Sequence, residues 1–215
     1  RRPPRSTLFP YPTLFRSSVR VRLLLGDPEL ARMASLAVAA SGLGRIVDRK
    51  PDLLLADRPE QAEPGLWRLE FVDRPDALPY AGPFFCDRSH PLAEGLSLAG
   101  AIWPGSPAEP LAGAPIISAG NVVLLAESDR GAATTLRMQL CPALSTLCQQ
   151  PAWPVLIHNL LDWRRNALPG PRQPNVRMDS VIRITLPPDA RSAEVRRPDG
   201  TTRRKIGRAS CRERV

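Results

Sequence analysis

One short stretch of the sequence carries the residue types that nucleophilic catalysis needs. Cys86, Asp87, His90 and Glu94 follow one another closely. A cysteine becomes a nucleophile when a histidine takes its proton and a carboxylate orients the histidine ring. Cysteine, histidine and carboxylate are also ligands of Zn²⁺. The stretch therefore supports one hypothesis, a cysteine-dependent hydrolase or amidotransferase-like enzyme that uses Cys86, His90 and Glu94, with a metal site as its variant.

The residues around this cluster favour a structural role instead. Pro91 breaks any helix that would align His90 with Glu94. The nucleophilic cysteine of an amidotransferase lies on a strained strand-to-helix turn between small residues, whereas two phenylalanines precede Cys86. We prefer the interpretation in which His90 caps a turn before the next strand. We accordingly predict no catalytic residue, no metal ligand and no cofactor.

Four other residues carry weaker patterns. Gly26 and Asp27 follow the first apolar run, and could place an anion at a helix N-terminus. However, no Gly-x-Gly-x-x-Gly motif is present, and the Asp27 carboxylate would repel phosphate. On the last helix, His158 is interpreted as a packed or surface residue. Asn159 is expected to bind loop backbone rather than a substrate.

The cysteines indicate neither a zinc site nor a disulfide framework. Apart from the one near the C-terminus, they are Cys86, Cys141 and Cys148, an odd number without CxxC spacing. Pro142 follows Cys141 directly, and Cys148 lies in a polar loop. All three are interpreted as small, half-buried apolar residues.

The elements that position these residues alternate in type. Apolar runs at 19–25 and 51–56 predict strands of a parallel β-α-β unit around a helix at 28–40, whose apolar residues are Leu30, Met33, Ala34, Leu36 and Ala37. A third strand is predicted at 67–72. Residues 73–97 lose all periodicity among four prolines. Short strands are then predicted at 98–103, 115–118, 122–126 and 134–140.

The clearest helix is predicted at 151–167. Its apolar side consists of Trp153, Leu156, Ile157, Leu160, Leu161 and Trp163. The Pro-rich stretch 168–175 is typical of a linker. Alternating residues at 181–186 and 193–197 predict the first hairpin of a truncated β-sandwich domain. The domain boundaries expected are therefore 18–170 for an α/β domain and 171–205 for the truncated one.

The two ends of the chain encode complementary DNA strands. With the codons CTC TTC CGA TCT for residues 14–17, the reverse complement AGATCGGAAGAG encodes residues 206–208 in its third frame. Both ends resemble translated sequencing adapter, so 1–17 and 206–215 are interpreted as adapter-derived. The whole chain carries a net charge of +9, but without these ends it carries only +3. This charge favours no nucleic-acid or other polyanionic partner.

One motif in the second half resembles a known family. The motif consists of a strand, a Pro-x-x-Ser turn and an aromatic helix, here Pro142, Ser145, Trp153, Pro154, Val155, Leu156, Asn159, Leu160 and Trp163. It is similar to the amidotransferase-like domain of Bat-type aerotolerance proteins of bacteria. Cys141 stands where that family has an aspartate. Residues 88–98 also resemble the family's segment before a central strand.

The resemblance covers most of 19–170 and implies a flavodoxin-like, class I amidotransferase-like α/β fold. Its mostly parallel sheet would have flanking helices. It further implies a parent protein anchored in the bacterial inner membrane and carrying a von Willebrand factor A domain. No apolar run in this sequence is long enough to span a bilayer. We therefore expect a soluble fragment that serves as a non-catalytic interaction or scaffolding module for an unknown protein partner, with membrane contact only through other parts of the parent.

Overall fold

The computed structural model describes residues 18–58, 66–129, 133–171, 184–185, 192–196 and 202–206. Ser18–Asn166 form one compact unit. Its helices are α1 (Pro28–Ser41) and α2 (Ala152–Ala167). Its strands are β1 (Val19–Leu24), β2 (Gly44–Ile46), β3 (Leu53–Ala56), β4 (Trp67–Val72), β5 (Leu78–Tyr80), β6 (Phe84–Cys86), β7 (Trp103–Gly105), β8 (Ala114–Ala119), β9 (Val122–Asp129) and β10 (Thr135–Gln139).

Eight of these strands form a single sheet in the order β2-β1-β3-β4-β10-β9-β8-β6. In this order, neighbouring strands are parallel from β2 as far as β10, and they are antiparallel from β10 to the other edge at β6. α1 supplies the crossover between the parallel strands β1 and β2, whereas a tight turn at 120–121 joins the antiparallel strands β8 and β9. The predicted α/β class with a mainly parallel sheet is confirmed. β6 forms one outer edge.

The two faces of the parallel half differ in chemistry. Register places the apolar side chains of β1, β3, β4 and β10 in common rows, which are Val21–Leu53–Trp67, Leu23–Leu55–Leu69–Leu136 and Phe71–Met138. The alternate rows on the other face carry Arg22, Arg68, Glu70 and Arg137. Side chains alternate between faces along a strand, so the apolar rows form the core.

Both helices lie side by side on the apolar face. The Nε1 of Trp153 on α2 donates to the carbonyl oxygen of Met33 on α1 at 3.1 Å. Asp27 begins α1 by accepting the N–H of Leu30 at 2.7 Å, as the sequence indicates. α1 ends at Gly42, whose φ of 65° is the left-handed conformation that glycine adopts most easily.

Four predictions about the elements and their buried faces were wrong. The predicted strand at 98–103 is irregular up to Ile102, and β7 begins only at Trp103. β5, β6 and a 3-10 turn at Pro91–Ala93 lie within 73–97, where no element was predicted. Leu36 was included among the apolar residues at helical spacing on α1, but it is 53% exposed, whereas Val38 is buried. The short edge strand β2 was also missed.

The second compact unit comprises Arg1–Ser17 and Ala167–Val215. Four strands are described in it, β11 (Gly170–Pro171) paired with β12 (Ile184–Thr185), and β13 (Ser192–Arg196) paired with β14 (Thr202–Ile206). The predicted hairpin joined 181–186 with 193–197, whereas β13 pairs with β14. The adapter-like stretches 1–17 and 207–215 lie outside the described residues. Among the described helices, none is long and apolar enough to cross a membrane.

Candidate functional site

The cluster predicted from the sequence lies where β6 leaves the edge of the sheet. Cys86 is the last residue of β6, and the N–H of Asp87 continues the ladder by donating to the carbonyl oxygen of Ile116 at 2.8 Å. The Asp87 carboxylate accepts from the N–H and the hydroxyl of Ser89 at 2.9 and 2.6 Å. These bonds shape a tight turn that leads the chain into His90.

His90 is turned into the core beneath α2. Its side chain is 5% exposed, and its ring meets Trp163 edge-on with 4.9 Å between centroids. Nδ1 accepts the N–H of Leu92 at 3.2 Å, so His90 caps the 3-10 turn that follows it. A nitrogen that accepts a hydrogen bond carries no proton. The ring proton is therefore on Nε2, which lies 3.4 Å from the buried Glu127 carboxylate.

Cys86 faces a different environment from His90. An open groove of about 500 Å³ lies along β6. Its described lining residues include Cys86 and Arg88 but neither His90 nor Glu94. The structure thus brings Cys86 and Arg88 to one surface and sends the His90 ring to another. The hypothetical triad of Cys86, His90 and Glu94 is not assembled in this arrangement.

Burial makes both the Cys86 and the Cys148 thiols poor acids. Desolvation raises the pKa of Cys86, and the nearby Arg88 guanidinium opposes this effect only in part. Desolvation, together with the carboxylates of Asp27 and Glu29, raises the pKa of Cys148 to about 12. Cys86, Cys141 and Cys148 are free thiols. Because the thiolate is the reactive form, Cys86 and Cys148 are protonated and weakly nucleophilic at neutral pH.

The last member of the cluster, Glu94, has a structural role through its backbone. Its side chain is exposed, and its carbonyl oxygen accepts a hydrogen bond from Nδ2 of Asn159 at 2.7 Å. The same Nδ2 donates to the carbonyl oxygen of Leu92 at 3.0 Å. Asn159 thus links the 3-10 turn to α2 by hydrogen bonds. The sequence predicted this role, in which the amide binds loop backbone. His158, its neighbour on α2, is exposed.

Protein carboxylates already occupy the N-terminus of α1. The N–H of Gly26 donates to Oδ2 of Asp57 at 2.6 Å, and Asp27 accepts the N–H of Leu30. Two carboxylates at this position satisfy the donors that a phosphate would need. The candidate anion site is therefore filled from within the chain.

The sequence did not indicate the groove itself. Phe84 and Phe85 precede Cys86 in what looked like an irregular segment, and a three-residue strand is too short for alternation to reveal it. Phe85 is 61% exposed, more than any other large hydrophobic side chain among the described residues. The only sequence signal for the exposure of Phe85 is the pair of charged residues, Asp87 and Arg88, that follows β6.

No group of three or more histidine, cysteine or acidic side chains among the described residues could hold a metal ion. Comparison of the sequence with protein-family models and with curated protein sequences gives no match. The candidate site is thus defined by its geometry alone. It comprises the exposed edge of β6, the groove beside it and the Arg88 side chain.

Proposed function

We propose that this chain is a non-catalytic interaction or scaffolding module. The observation that carries the proposal is the position of His90. Its Nδ1 accepts the Leu92 N–H and its Nε2 is directed at Glu127, so both ring nitrogens serve the fold. A general base must reach the proton that it removes. With the ring held in this way, the Cys86 thiol has no imidazole to activate it.

The same arrangement supports a finer assignment of the fold. A mainly parallel sheet with α1 after its first strand is compatible with the flavodoxin-like class. We further propose a relationship to the amidotransferase-like domain of Bat-type aerotolerance proteins, on the motif that runs from Pro142 to Trp163. A degenerate domain of that family would sit in a membrane-anchored bacterial parent and contact another protein. Cys141 in place of the family's aspartate fits the loss of an ancestral role.

Thiol alkylation tests the proposal against the enzyme hypothesis. We expect iodoacetamide to label Cys86 slowly at pH 7 and faster only as the pH rises above the ordinary thiol pKa of about 8.5. Burial raises the pKa of Cys86, which gives this direction. The rate is followed by mass spectrometry of the intact chain, with Cys86→Ser to identify the labelled site.

The matched variant is His90→Asn. Asparagine can still cap the turn by accepting the Leu92 N–H, but it has no imidazole. We expect the labelling rate of Cys86 to be the same in this variant as in the unmodified chain. Rapid labelling below neutral pH that is lost in His90→Asn would establish a cysteine–histidine nucleophile and overturn the proposal.

A further inference from the structure

The outer edge of β6 carries backbone groups that point away from the sheet. In an antiparallel pair, hydrogen-bonded residues alternate with residues whose N–H and C=O face outward. Asp87 donates to Ile116, so in this register Phe85 is the next hydrogen-bonded residue, opposite Ser118. The N–H and C=O groups of Phe84 and Cys86 must then face outward. Among the described residues, no backbone group bonds to them.

These outward groups border the groove. The groove is lined by 81–86, Arg88, Ala93 and 96–100, so both Phe84 and Cys86 are among its lining residues. Its volume of about 500 Å³ exceeds that of one side chain and fits a short extended segment. An unpaired strand edge is a template for pairing with another chain. The groove therefore offers backbone donors and acceptors along one side of a space of peptide size.

Charge and apolar surface at the groove define what would fit. Arg88 is the only charged residue among the described residues that line it. Arginine binds carboxylates with charge-assisted hydrogen bonds. Phe85, on the strand between the two outward-facing residues, leaves most of its ring in solvent. An apolar side chain on an added strand would cover that ring.

We propose that the β6 edge binds an extended, carboxylate-bearing peptide segment of a partner protein as an added strand. The segment bonds to the backbone of Phe84 and Cys86, covers Phe85 with an apolar side chain and places its carboxylate on Arg88. This proposal rests on the proposed interaction function and names its surface. Strand addition of this kind takes affinity from backbone bonds and specificity from side-chain positions.

The test begins with a random heptapeptide library displayed with free C-termini and selected on the full chain. We expect selection of peptides with an apolar residue and a carboxylate. Binding of a selected synthetic peptide is measured by fluorescence polarisation. Arg88→Gln should weaken binding about tenfold or more, whereas Arg49→Gln, a matched change at another exposed arginine, should leave it unchanged. Amidating the peptide C-terminus, or replacing its acidic side chain by the amide, identifies which carboxylate Arg88 binds.

Backbone pairing is tested on the peptide, so that no folding defect can imitate the result. N-methylation at alternate residues should abolish binding for one set of positions and spare the other, because every second N–H faces β6. Hydrogen exchange of the Phe84 and Cys86 amides should slow on binding. Failure to select any peptide, equal effects of both methylation sets, or no loss with Arg88→Gln would overturn the inference. Slow, His90-independent alkylation of Cys86 would still support the non-catalytic function, so the two failures are distinguishable.

Discussion

At the scale of single residues, the partly buried ion pair between Arg20 and Asp52, just before β3, should contribute most clearly to stability. The backbone N–H and the Nε of Arg20 donate to Oδ2 of Asp52 at 2.9 Å, and Nη2 donates to Oδ1 at 2.7 Å. Arg164 of α2 donates to the Asp52 carbonyl oxygen at 2.8 Å. Asp52 therefore joins β1, β3 and α2. Burial by itself would raise the pKa of Asp52, but the hydrogen bonds from Arg20 outweigh it and hold that pKa below its ordinary value.

We expect Asp52→Asn to lower the free energy of unfolding by about 1–3 kcal/mol at pH 7, because Arg20 loses its charged acceptor. A carboxylate with a lowered folded-state pKa stabilises the fold above its unfolded-state pKa of about 3.9, and this stabilisation is lost as the pH falls through the folded value. The difference between the two proteins should therefore shrink below about pH 4. Urea unfolding at several pH values measures it.

Glu29→Gln is the matched control for this prediction. The Glu29 carboxylate also pairs with an arginine, since Nη2 of Arg32 lies 2.6 Å from its Oε1. However, both side chains are more than half exposed. Exposed ion pairs contribute little because water screens them. We expect this change to leave stability nearly unchanged at every pH. An equal loss in both variants would show that burial does not distinguish the two pairs.

At the scale of elements, the two tryptophans of α2 differ in what they contact. Trp153 is 1% exposed, lies 6.1 Å from the Phe71 ring between centroids and donates to Met33 of α1. Trp163 is only half-buried and meets the Trp67 ring edge-on at 4.7 Å. The first thus joins α2 to both the sheet and α1. The second closes the end of the helix over β4 and His90.

We expect Trp153→Ala to reduce the free energy of unfolding by about 3–5 kcal/mol, because it leaves a large cavity between α2 and the sheet. Trp163→Ala should lower the free energy of unfolding by less, about 3 kcal/mol, because Trp163 is only half-buried and water can enter part of the cavity that it leaves. Leu36→Ala on α1, where the side chain is 53% exposed, serves as the control and should stay within about 0.5 kcal/mol of the unmodified chain. A larger loss for Trp163 than for Trp153 would contradict the assignment of the buried face.

The sequence predicted the elements whose apolar pattern is long. α1, α2, β1, β3, β4, β8 and β10 were predicted within two residues of their observed ends, because each carries an apolar run of its own. The elements between 73 and 105 were not predicted correctly, since β5, β6 and β7 have three residues each and depend on pairing with distant segments. Short strands have no period of their own. For the same reason the groove at β6 could not be predicted from the sequence, although the cluster of Cys86 and His90 beside it was identified as a candidate site.

At the scale of the whole molecule, the contacts divide the chain near the end of α2. Ser18–Asn166 form one compact unit, and the residues after it belong to the other. The boundary predicted at 170 was placed by the Pro-rich composition of 168–175. Domains of about 150 residues commonly fold alone when they bury their own core. The first unit contains the eight-stranded sheet, both helices and the candidate site.

Trimming tests whether the first unit is self-sufficient and whether the terminal stretches are foreign to it. We expect removal of 1–17, and separately of 171–215, to leave the melting temperature unchanged or higher. Residues 1–17 are adapter-derived and have no complementarity to the core, and 171–215 belong to the other compact unit. The second cut is placed at 171 because Ile206 pairs with Ser192, so a cut at 206 would shorten that hairpin without removing it. In a unit of this size a loss of 1 kcal/mol lowers the melting temperature by roughly 2–4 °C. Calorimetry of both trimmed chains gives the measurement. A fall of several degrees on removal of 1–17 would mean that these residues stabilise the fold, which is not expected of adapter sequence. A fall on removal of 171–215 would mean that this segment unfolds cooperatively with the first unit.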